Sequence, residues 1–357
     1  MAYRTWMIFL SIGICLSYGT PPVLSQVPGE SILTSINKLS AEQRTARLLS
    51  GAREERLVEW YGSLPFTDVR PLIKKFKKLY PFIEVKYTRG GGTSLVNRVL
   101  TEHRAGVNKV DVLGGRGNLH TTLMKAGLVA KNMAPLRREI RKGFMDERGY
   151  LVAPFTYAVV IGYNTHNVRP DKIPQSYHDL LGPEWKGQMA LDREAYDWFA
   201  GMLDILGEER GVDFARKIAA QNLTLRRGHT LMTQLMAAGD IKIMVDGYHF
   251  RLQSFKEKGA PVDYVLTNPT ILKEPSALWI MKHASHPHAS ALLVDFLFSL
   301  EAQEIYASQN RLVARKNMEW DFKGKKLPDF HVLSSEKWGP RYNDLIRQFD
   351  QIFRRGN

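Results

Sequence analysis

The first third of the chain alternates between short apolar runs and loops of small residues. Apolar runs at residues 57–61, 83–87 and 111–113 each end in a glycine-containing loop, and a helical pattern follows each loop. Strands that alternate with helices predict a parallel sheet. Loops that leave the strand ends of such a sheet collect on one side, where ligands bind. We therefore predict that residues 57–155 form one α/β lobe whose loops supply half of a ligand cleft.

The segment before the first strand divides into two parts. Residues 27–38 lack a clear pattern and are interpreted as a loose leader. Ser40 with Gln43 three positions later is a capping box, which predicts a helix from there to about Glu55. Residues 26–56 are therefore assigned to a leader and an N-terminal helix that precede the lobe.

A second series of strands and helices follows the first lobe. Residues 151–163 form a long apolar run without helix caps, which indicates extended chain passing into a second lobe. Within that lobe, assigned to residues 156–268, strand patterns at 189–191 and 241–245 alternate with helices. The chain then returns to the first lobe, with a possible further crossing, over residues 269–318. Residues 319–357 are a charged tail with a helical pattern from Tyr342 onward.

The N-terminus has the pattern of an export signal. Arg4 precedes an apolar run at residues 7–16, and small residues at 23–25 offer a cleavage site near Ser25. The run is too short and too interrupted to favour a membrane span. Cys15, the only cysteine, lies inside it, so the exported protein would contain no disulfide. We predict a signal peptide at residues 1–25 and a periplasmic location.

The amino-acid composition narrows the possible functions only slightly. The 357 residues are 44% hydrophobic and 24% charged, which is ordinary for a globular protein, and the formal net charge is +14. A basic balance can indicate nucleic acid, an anionic surface or small anionic ligands. The basic residues are spread along the chain and no nucleic-acid signature is present, so a basic solvated surface is the preferred interpretation and no nucleic-acid partner is expected.

Several short motifs keep a fixed order between about residue 40 and residue 318. They are Trp60-Tyr61-Gly62-Ser63; Leu95, Glu102, Gly106 and Asp111-Val112; Asp179-Leu180-Leu181, Trp185-Lys186-Gly187 and Leu191-Asp192; Gly228-His229, Leu235 and Ala238-Gly239; and Asp295-Phe296-Leu297, Ser299 and Glu301-Ala302-Gln303. Together they resemble the extracellular solute-binding proteins of ABC importers, in particular the ferric-iron-binding branch.

The resemblance implies the two-lobed, type 2 periplasmic-binding-protein fold. In this family two α/β lobes, each a mostly parallel sheet flanked by helices, are joined by hinge strands and close over a small-molecule solute. The solute is then delivered to the membrane permease subunits of an ABC importer. The resemblance implies no chemistry and no cofactor, and we expect a monomer.

The chain departs from the iron-binding pattern at the positions that would hold the metal. That branch offers adjacent tyrosines, a carboxylate and often a histidine, whereas the corresponding segment here is Asp246-Gly247-Tyr248-His249, with one tyrosine. The family's glutamate falls on Arg116. A guanidinium 4 Å from a metal costs about 4 kcal/mol per unit of metal charge at an effective dielectric of about 20.

Arg116 instead points to an anionic solute. A guanidinium fork fits phosphate, phosphonate or carboxylate, and backbone N–H groups at a helix start add to the attraction. The glycine run at residues 90–92 leaves Gly92 open to close approach, with the Thr93 hydroxyl beside it. The alternatives are that Arg116 is an ordinary arginine on a surface loop and that the glycine run is a plain tight turn.

Further candidates come from both lobes. Tyr61 and Ser63 belong to the loop after the first strand, and Tyr157 lies on the crossing strand. Asp192 ends a strand of the second lobe and can accept a hydrogen bond from a hydroxyl or amine. Aromatic side chains near the cleft can cover an organic ligand; Tyr196, Trp198 and Tyr248 are the candidates, with core packing as the alternative for Trp198.

The sequence and the family resemblance raise three hypotheses about function. The first is a binding protein for an anionic or polar organic solute. The second is a ferric-ion binder that uses Tyr248 and Asp192 with an anion held by Arg116. The third, a hydrolase, has no support, because the sequence contains no Gly-x-Ser-x-Gly motif, no His-x-x-x-His motif and no cysteine cluster. Histidines at 283, 286 and 288 are interpreted as part of a solvated loop.

Overall fold

The computed structural model describes residues 29–354. The predicted signal peptide, with Arg4, Cys15 and the cleavage site near Ser25, lies outside the described residues. The helices are α1 Gly29–Ile36, α2 Ala41–Glu55, α3 Phe66–Leu79, α4 Gly92–Arg104, α5 His120–Lys125, α6 Tyr196–Leu206, α7 Glu208–Ala219, α8 His229–Ala238, α9 His249–Lys256, α10 Pro287–Leu297, α11 Leu300–Ser308, α12 Ser335–Trp338 and α13 Tyr342–Phe353.

The strands form two sheets. They are β1 Leu57–Gly62, β2 Glu84–Arg89, β3 Val112–Arg116, β4 Val152–Thr156, β5 Ala158–Asn164, β6 Met189–Asp192, β7 Thr224–Arg226, β8 Ile243–Tyr248, β9 Val262–Val265, β10 Thr270–Leu272, β11 Ser276–Ile280, β12 Leu312–Val313 and β13 Phe330–Val332. The first sheet has the order β12-β4-β11-β3-β1-β2, and the second has the order β13-β10-β5-β8-β6-β7 with β9 also paired to β5.

Each sheet lies at the centre of one lobe. In the first, β1 pairs in parallel with β2 and β3, and apolar side chains of the sheet and its helices form one core that includes Trp60, Phe76 and Phe296. In the second, β6 pairs in parallel with β7 and β8, over a core that includes Trp198 and Phe349. The prediction of two α/β lobes is confirmed.

The chain crosses between the sheets three times. It crosses at Tyr157, between β4 and β5, returns at residues 273–275, between β10 and β11, and crosses again over residues 314–329, between β12 and β13. Strands beside these crossings run antiparallel to their neighbours in both sheets. The sheets are therefore mixed rather than mostly parallel, because a chain that enters and leaves a lobe must run in both directions through its sheet.

The structure corrects several local expectations. The predicted loose leader contains helix α1, whose Leu33 and Ile36 are fully buried in the first lobe. The capping box of α2 is confirmed, since the Ser40 hydroxyl accepts the Gln43 N–H and the Gln43 side chain accepts the Ser40 N–H. Strand β10 still belongs to the second sheet, so the return crossing lies later than the expected boundary at residue 269.

The charged tail is also more structured than expected. It contributes β13 to the second sheet, and its last helix, α13, buries Leu345, Phe349 and Phe353. These three residues lie four apart, which places them on one face of the helix against the second lobe. Among residues 29–354, no helix has the length and apolar character needed to span a membrane.

Candidate functional site

A cavity of about 300 Å³ lies between the lobes, where the strands of both sheets end. The ends of strands β1 and β3 contribute lining residues from the first lobe, and the ends of β6 and β8 contribute lining residues from the second. The lining residues are Ser63, Gly91, Gly92, Gly115, Arg116 and Ser276 of the first lobe; Asp192, Glu194, Arg227, Gly228, His229 and Tyr248 of the second; and Tyr157, Lys273 and Glu274 of the crossings. Carboxyl ends of strands are where α/β sheets bind ligands.

One corner of this cleft holds Arg116, Lys273 and Asp197, and the Glu274 carboxyl lies close by, 2.8 Å from a Cβ built on Gly117. Arg116 ends β3, with its Nη1 3.9 Å from Asp197 Oδ2 of helix α6. Lys273 is almost fully buried at the second crossing, and its ammonium donates to the same Asp197 oxygen. Two cations therefore share the Asp197 carboxylate, and the Arg116 guanidinium is the more exposed of the two.

The pKa shifts of these groups agree with that arrangement. Burial opposes the charged form of all three groups, but the opposite charges outweigh it. The pKa of Arg116 is raised by Asp197, the pKa of Lys273 is raised by the same carboxylate, and the pKa of Asp197 is lowered by Lys273 and then by Arg116. All three groups are therefore charged at neutral pH.

Helix α4 begins beside Arg116. Gly91 is its N-cap residue, and Gly91 and Gly92 both line the cavity. A Cβ built on Gly92 would lie 3.6 Å from the Arg116 backbone nitrogen, so the helix start and the strand end are in close contact. The first N–H groups of a helix have no partner within the helix, and they add partial positive charge to this corner.

The opposite wall is acidic and contains a histidine. His229 Nε2 lies 3.0 Å from Asp246 Oδ2, and its Nδ1 lies 3.8 Å from Asp192 Oδ2. Burial lowers the pKa of His229, but Asp246 and Asp192 outweigh burial and raise it. The Asp192 carboxylate accepts the N–H groups of Glu194 at 2.8 Å and Gly228 at 2.6 Å, so it also orders the two loops around it.

Two phenols lie on the floor of the cleft. The rings of Tyr157 and Tyr248 have centroids 4.6 Å apart, and Tyr248 stacks on the His229 ring at 3.5 Å. Burial, with neighbouring Tyr157 and Asp197, raises the pKa of Tyr248 well above its usual value. Its hydroxyl therefore stays protonated and offers a hydrogen-bond donor to a solute.

The structure brings together six of the ten candidates predicted from the sequence. Ser63, Gly92, Arg116, Tyr157, Asp192 and Tyr248 line the cavity. Thr93 is exposed on the first turn of α4 and does not line it. Tyr61 is buried beneath the first sheet, with its hydroxyl 3.5 Å from Glu102 Oε1 and the Arg98 guanidinium over its ring.

The expectation that Tyr196 and Trp198 lie beside the cleft is not met. Tyr196 packs edge-on against Tyr342 and Phe349 of α13, and Trp198 is buried between Tyr177 and Phe353. Successive helical residues point about 100° apart. In this helix Asp197, between the two aromatics, is the residue directed at Arg116 and Lys273.

Sequence reasoning missed several residues of the site, among them Asp197, Lys273, Glu274 and His229. Asp197 was overlooked because its aromatic neighbours gave the stronger signal. Lys273 and Glu274 were overlooked because the return crossing was placed too early in the chain. His229 belongs to one of the motifs that carry the family resemblance, and its position directly after Gly228, at the start of α8, was the available signal.

Three other histidines have structural roles. His249 Nδ1 accepts the Ala158 N–H at 2.9 Å, and burial lowers its pKa to about 3, so it remains neutral inside the second lobe. His286 and His288 pair with Asp111 and Glu55, which corrects the interpretation of a solvated loop. In the part of the chain that the structure describes, no group of three or more histidine, cysteine or acidic residues is arranged to hold a metal ion.

Comparison with known proteins gives matches over most of the chain. The family model for bacterial extracellular solute-binding proteins matches residues 108–337. The Fe(3+)-binding periplasmic protein of Serratia marcescens is 20% identical over 238 residues, which are 64% of this chain and 70% of that protein.

Two solved structures illustrate the likeness in fold. AfuA from Actinobacillus pleuropneumoniae, with exogenous fructose-6-phosphate bound, has a TM-score of 0.73 and 22% identity, covering 84% of this chain and 98% of that chain. Iron-bound HitA from Pseudomonas aeruginosa has a TM-score of 0.71 and 20% identity, covering 82% of this chain and 99% of that chain. At these identities the likeness establishes the type 2 periplasmic-binding-protein fold alone.

Proposed function

The chain belongs to the family of bacterial extracellular solute-binding proteins, and we propose that it captures a small anionic organic solute between its lobes. The solute class is a phosphate ester, phosphonate or carboxylate that also carries hydroxyl or amine groups. We propose that the exported protein, processed near Ser25, then delivers this solute to the permease subunits of an ABC importer.

The observation that carries the proposal is the divided charge of the cleft. Arg116, Lys273 and the α4 N-terminus bring positive charge to one corner, where Asp197 and the nearby Glu274 offset part of it. A guanidinium 4 Å from an anion is worth about 4 kcal/mol at an effective dielectric of about 20, and the neighbouring carboxylates reduce this gain. This corner therefore suits the anionic group of a solute.

The remaining walls suit the rest of an organic solute. Asp192, Glu194 and Glu274 line the cavity and can accept hydrogen bonds from hydroxyl or amine groups. A volume of about 300 Å³ is at the lower end of small-molecule sites and fits a ligand of sugar-phosphate size. AfuA, a relative in fold, is described with fructose-6-phosphate bound, which makes a phosphorylated sugar the first ligand to test.

The proposed mechanism is ligand-linked closure. Residues from both lobes line the cleft, so a solute that touches both walls stabilises the closed arrangement and shifts the population toward it. The three crossings are the segments about which the lobes can move. We propose no catalysis, no cofactor and no nucleic-acid partner, and a monomer as the working form.

Ferric iron is the second candidate, because Tyr157 and Tyr248 both reach the cleft floor and two relatives are described as iron-bound or Fe(3+)-binding. The metal would also lie beside the Arg116 guanidinium, whose positive charge repels a cation in the same cavity. Ferric citrate would give a tyrosinate-to-iron charge-transfer colour if this candidate is correct. A colourless protein with an unchanged melting temperature would dismiss it.

A thermal-shift panel tests the first candidate. Fructose 6-phosphate, other phosphate esters, phosphonates and dicarboxylates are added to the wild type and to Arg116→Ala. At 100 times the dissociation constant, a ligand adds about 2.7 kcal/mol of stability. We expect at least one anion to raise the melting temperature of the wild type and to have little effect on Arg116→Ala.

The control is Arg70→Ala, which removes an exposed arginine from α3 outside the cleft. It removes the same charge and should keep the wild-type response. The proposal fails if no anion of the panel shifts the wild type, or if Arg116→Ala responds as strongly as Arg70→Ala.

A further inference from the structure

The C-terminal segment of residues 330–353, which we name the C-terminal clasp, follows the last crossing and runs along the second lobe. It begins with β13, which pairs in parallel with β10, and ends with α13, which packs against α6 and α7. The family model stops at residue 337, so α13 lies beyond the part of the chain that the family match covers.

The clasp is held firmly on the second lobe. Asp204 of α6 accepts hydrogen bonds from the Trp338 indole at 3.0 Å and from the Lys337 ammonium, and His331 Nε2 lies 2.8 Å from it. Arg341 forms a bidentate pair with Glu208 at 2.6 and 3.1 Å. These contacts, with the buried face of α13, fix the clasp relative to the second lobe.

The same segment touches the first lobe beside the cleft. Helix α12 packs against the turn at residues 117–119, directly after Arg116. A Cβ built on Gly117 would lie 2.8 Å from the Ser335 hydroxyl, so the clasp packs closely against the turn that follows Arg116. The Arg116 Nη1 group donates to the Tyr342 hydroxyl at 3.3 Å.

We propose that Tyr342 is a positioning residue that holds the Arg116 guanidinium against the second lobe and so fixes its orientation toward the solute. Arg116 belongs to the first lobe, whereas Tyr342 and Asp197 belong to the second, so both contacts of Arg116 exist only while the lobes are together. This inference rests on the proposed function for its effect on binding, but its effect on the lobes does not require any solute.

The test variant is Tyr342→Phe, which removes only the hydroxyl. The ring keeps its edge-on packing against Tyr196, whose centroid lies 5.9 Å away, so the unfolding midpoint should change little. Tyr80→Phe on the first lobe is the matched control, because the Tyr80 ring packs against Phe76 and Phe82 outside the cleft.

The first readout needs no solute. Cys15, the only cysteine, lies in the predicted signal peptide, so the processed protein can carry two nitroxide labels at Lys77→Cys on α3 and Arg216→Cys on α7, both exposed. Double electron–electron resonance should give a longer or broader interlobe distance distribution for Tyr342→Phe than for the wild type and Tyr80→Phe. An unchanged distribution in Tyr342→Phe would overturn the proposed hold on the lobes.

The second readout is affinity for glycerol 3-phosphate, measured by titration calorimetry. Because the lost hydrogen bond joins Tyr342 to a charged group that is partly exposed, we expect the affinity of Tyr342→Phe for glycerol 3-phosphate to fall about three- to tenfold. In an Arg116→Ala background, Tyr342→Phe should cause no further change in the interlobe distance distribution, since Tyr342 acts through Arg116. An equal effect in both backgrounds would overturn the positioning role.

The two proposals fail in different ways. If the wild type binds glycerol 3-phosphate and Tyr342→Phe binds it equally well, or if the two proteins give the same interlobe distances, the positioning role is wrong. If the wild type binds no anion of the panel, the proposed function is wrong, and the distance measurement still decides whether Tyr342 holds the lobes.

Discussion

At the scale of single residues, Asp197 offsets the positive charges of Lys273 and Arg116 in the cleft. Its carboxylate faces Lys273 and Arg116 at once, and the structure buries most of this group. A buried charge is tolerated when it is paired and becomes costly when its partner is removed. The two cations differ in exposure: both line the cavity, but the Lys273 side chain is almost fully buried whereas the Arg116 side chain is 33% exposed.

Replacing Lys273 should therefore destabilise the protein strongly. Lys273→Met leaves Asp197 with the more distant Arg116 as its cationic partner, and loss of a buried pair costs about 3 to 5 kcal/mol. Urea unfolding measures the change in the free energy of unfolding. Lys256→Met, which breaks a surface pair with Asp263, should cost at most about 1 kcal/mol; similar losses in both variants would contradict this account.

His229 gives the site a dependence on pH. Its pKa is raised in the folded state, so the stability that it contributes is fully present below the unfolded value of about 6.5 and is lost as pH rises through the folded-state pKa. His229→Gln removes this contribution. The difference in unfolding free energy between wild type and variant should be largest near pH 5 to 6 and should shrink toward pH 9.

The control for this profile is His166→Gln, an exposed position, where stability should change by less than about 0.5 kcal/mol. A wild-type-minus-variant difference for His229→Gln that stayed constant, or grew as pH rose, would show that Asp246 and Asp192 do not favour the charged imidazole.

Residue types at strand ends were predictable, but side-chain directions were not. Arg116, Asp192 and Tyr248 each end a strand, and strand ends in an alternating α/β pattern converge on one edge. Asp197 lies within a helix, where the direction of a residue depends on how the whole helix packs. The phase of α6 is set by α13, which buries Tyr196 and Trp198, and no local pattern near residue 197 reveals that contact.

Elements were predictable wherever the local sequence carried a complete signal. Helix α2 has a capping box, and strands β1 and β2 have clear apolar runs. Helix α1 has eight residues and no cap signal, so its stability depends on burying Leu33 and Ile36 in the first lobe.

Strand β3 is longer than the sequence predicted because glycines disfavour a strand. Gly114 and Gly115 continue the strand to Arg116, against the antiparallel partner β11. A Cβ at either position would lie 3.3 Å from Leu278 or Trp279, so the large side chains of β11 occupy the space that a side chain would need. That tertiary reason cannot be read from the glycines alone.

The cap of α2 gives a prediction at the element scale. Ser40→Ala removes the acceptor for the Gln43 N–H, and loss of such a cap costs about 1 kcal/mol. Chemical denaturation should show this loss. The control Ser50→Ala, at an exposed position within the same helix, should change stability by less than about 0.5 kcal/mol. An equal loss of stability in both variants would show that the Ser40 side chain does not stabilise α2 as a cap.

At the scale of the whole molecule, the lobes are joined by three crossings and by the C-terminal clasp. The crossings at Tyr157 and at Lys273–Glu274 also line the cavity, so the floor of the site and the connection between the lobes are built from the same residues. The two lobes were predictable from the alternating elements, whereas the late return crossing and the clasp depend on contacts between segments far apart in sequence.

Closure should be visible in solution. An anion that raises the melting temperature should also reduce the radius of gyration measured by small-angle scattering, because it stabilises the arrangement in which both walls touch it. Arg116→Ala should show no such reduction with the same anion. If the anion binds without any change in the radius of gyration, the anion is recognised without lobe closure and the proposed closure mechanism is wrong.

A crystal structure of the wild type with a bound phosphate ester tests the central claim most directly. The account predicts phosphate oxygens within hydrogen-bond distance of the Arg116 guanidinium and the first N–H groups of α4, with hydroxyl groups facing the Asp192 wall. A ligand held elsewhere, or held in the cleft while Arg116 points away from it, would contradict the account.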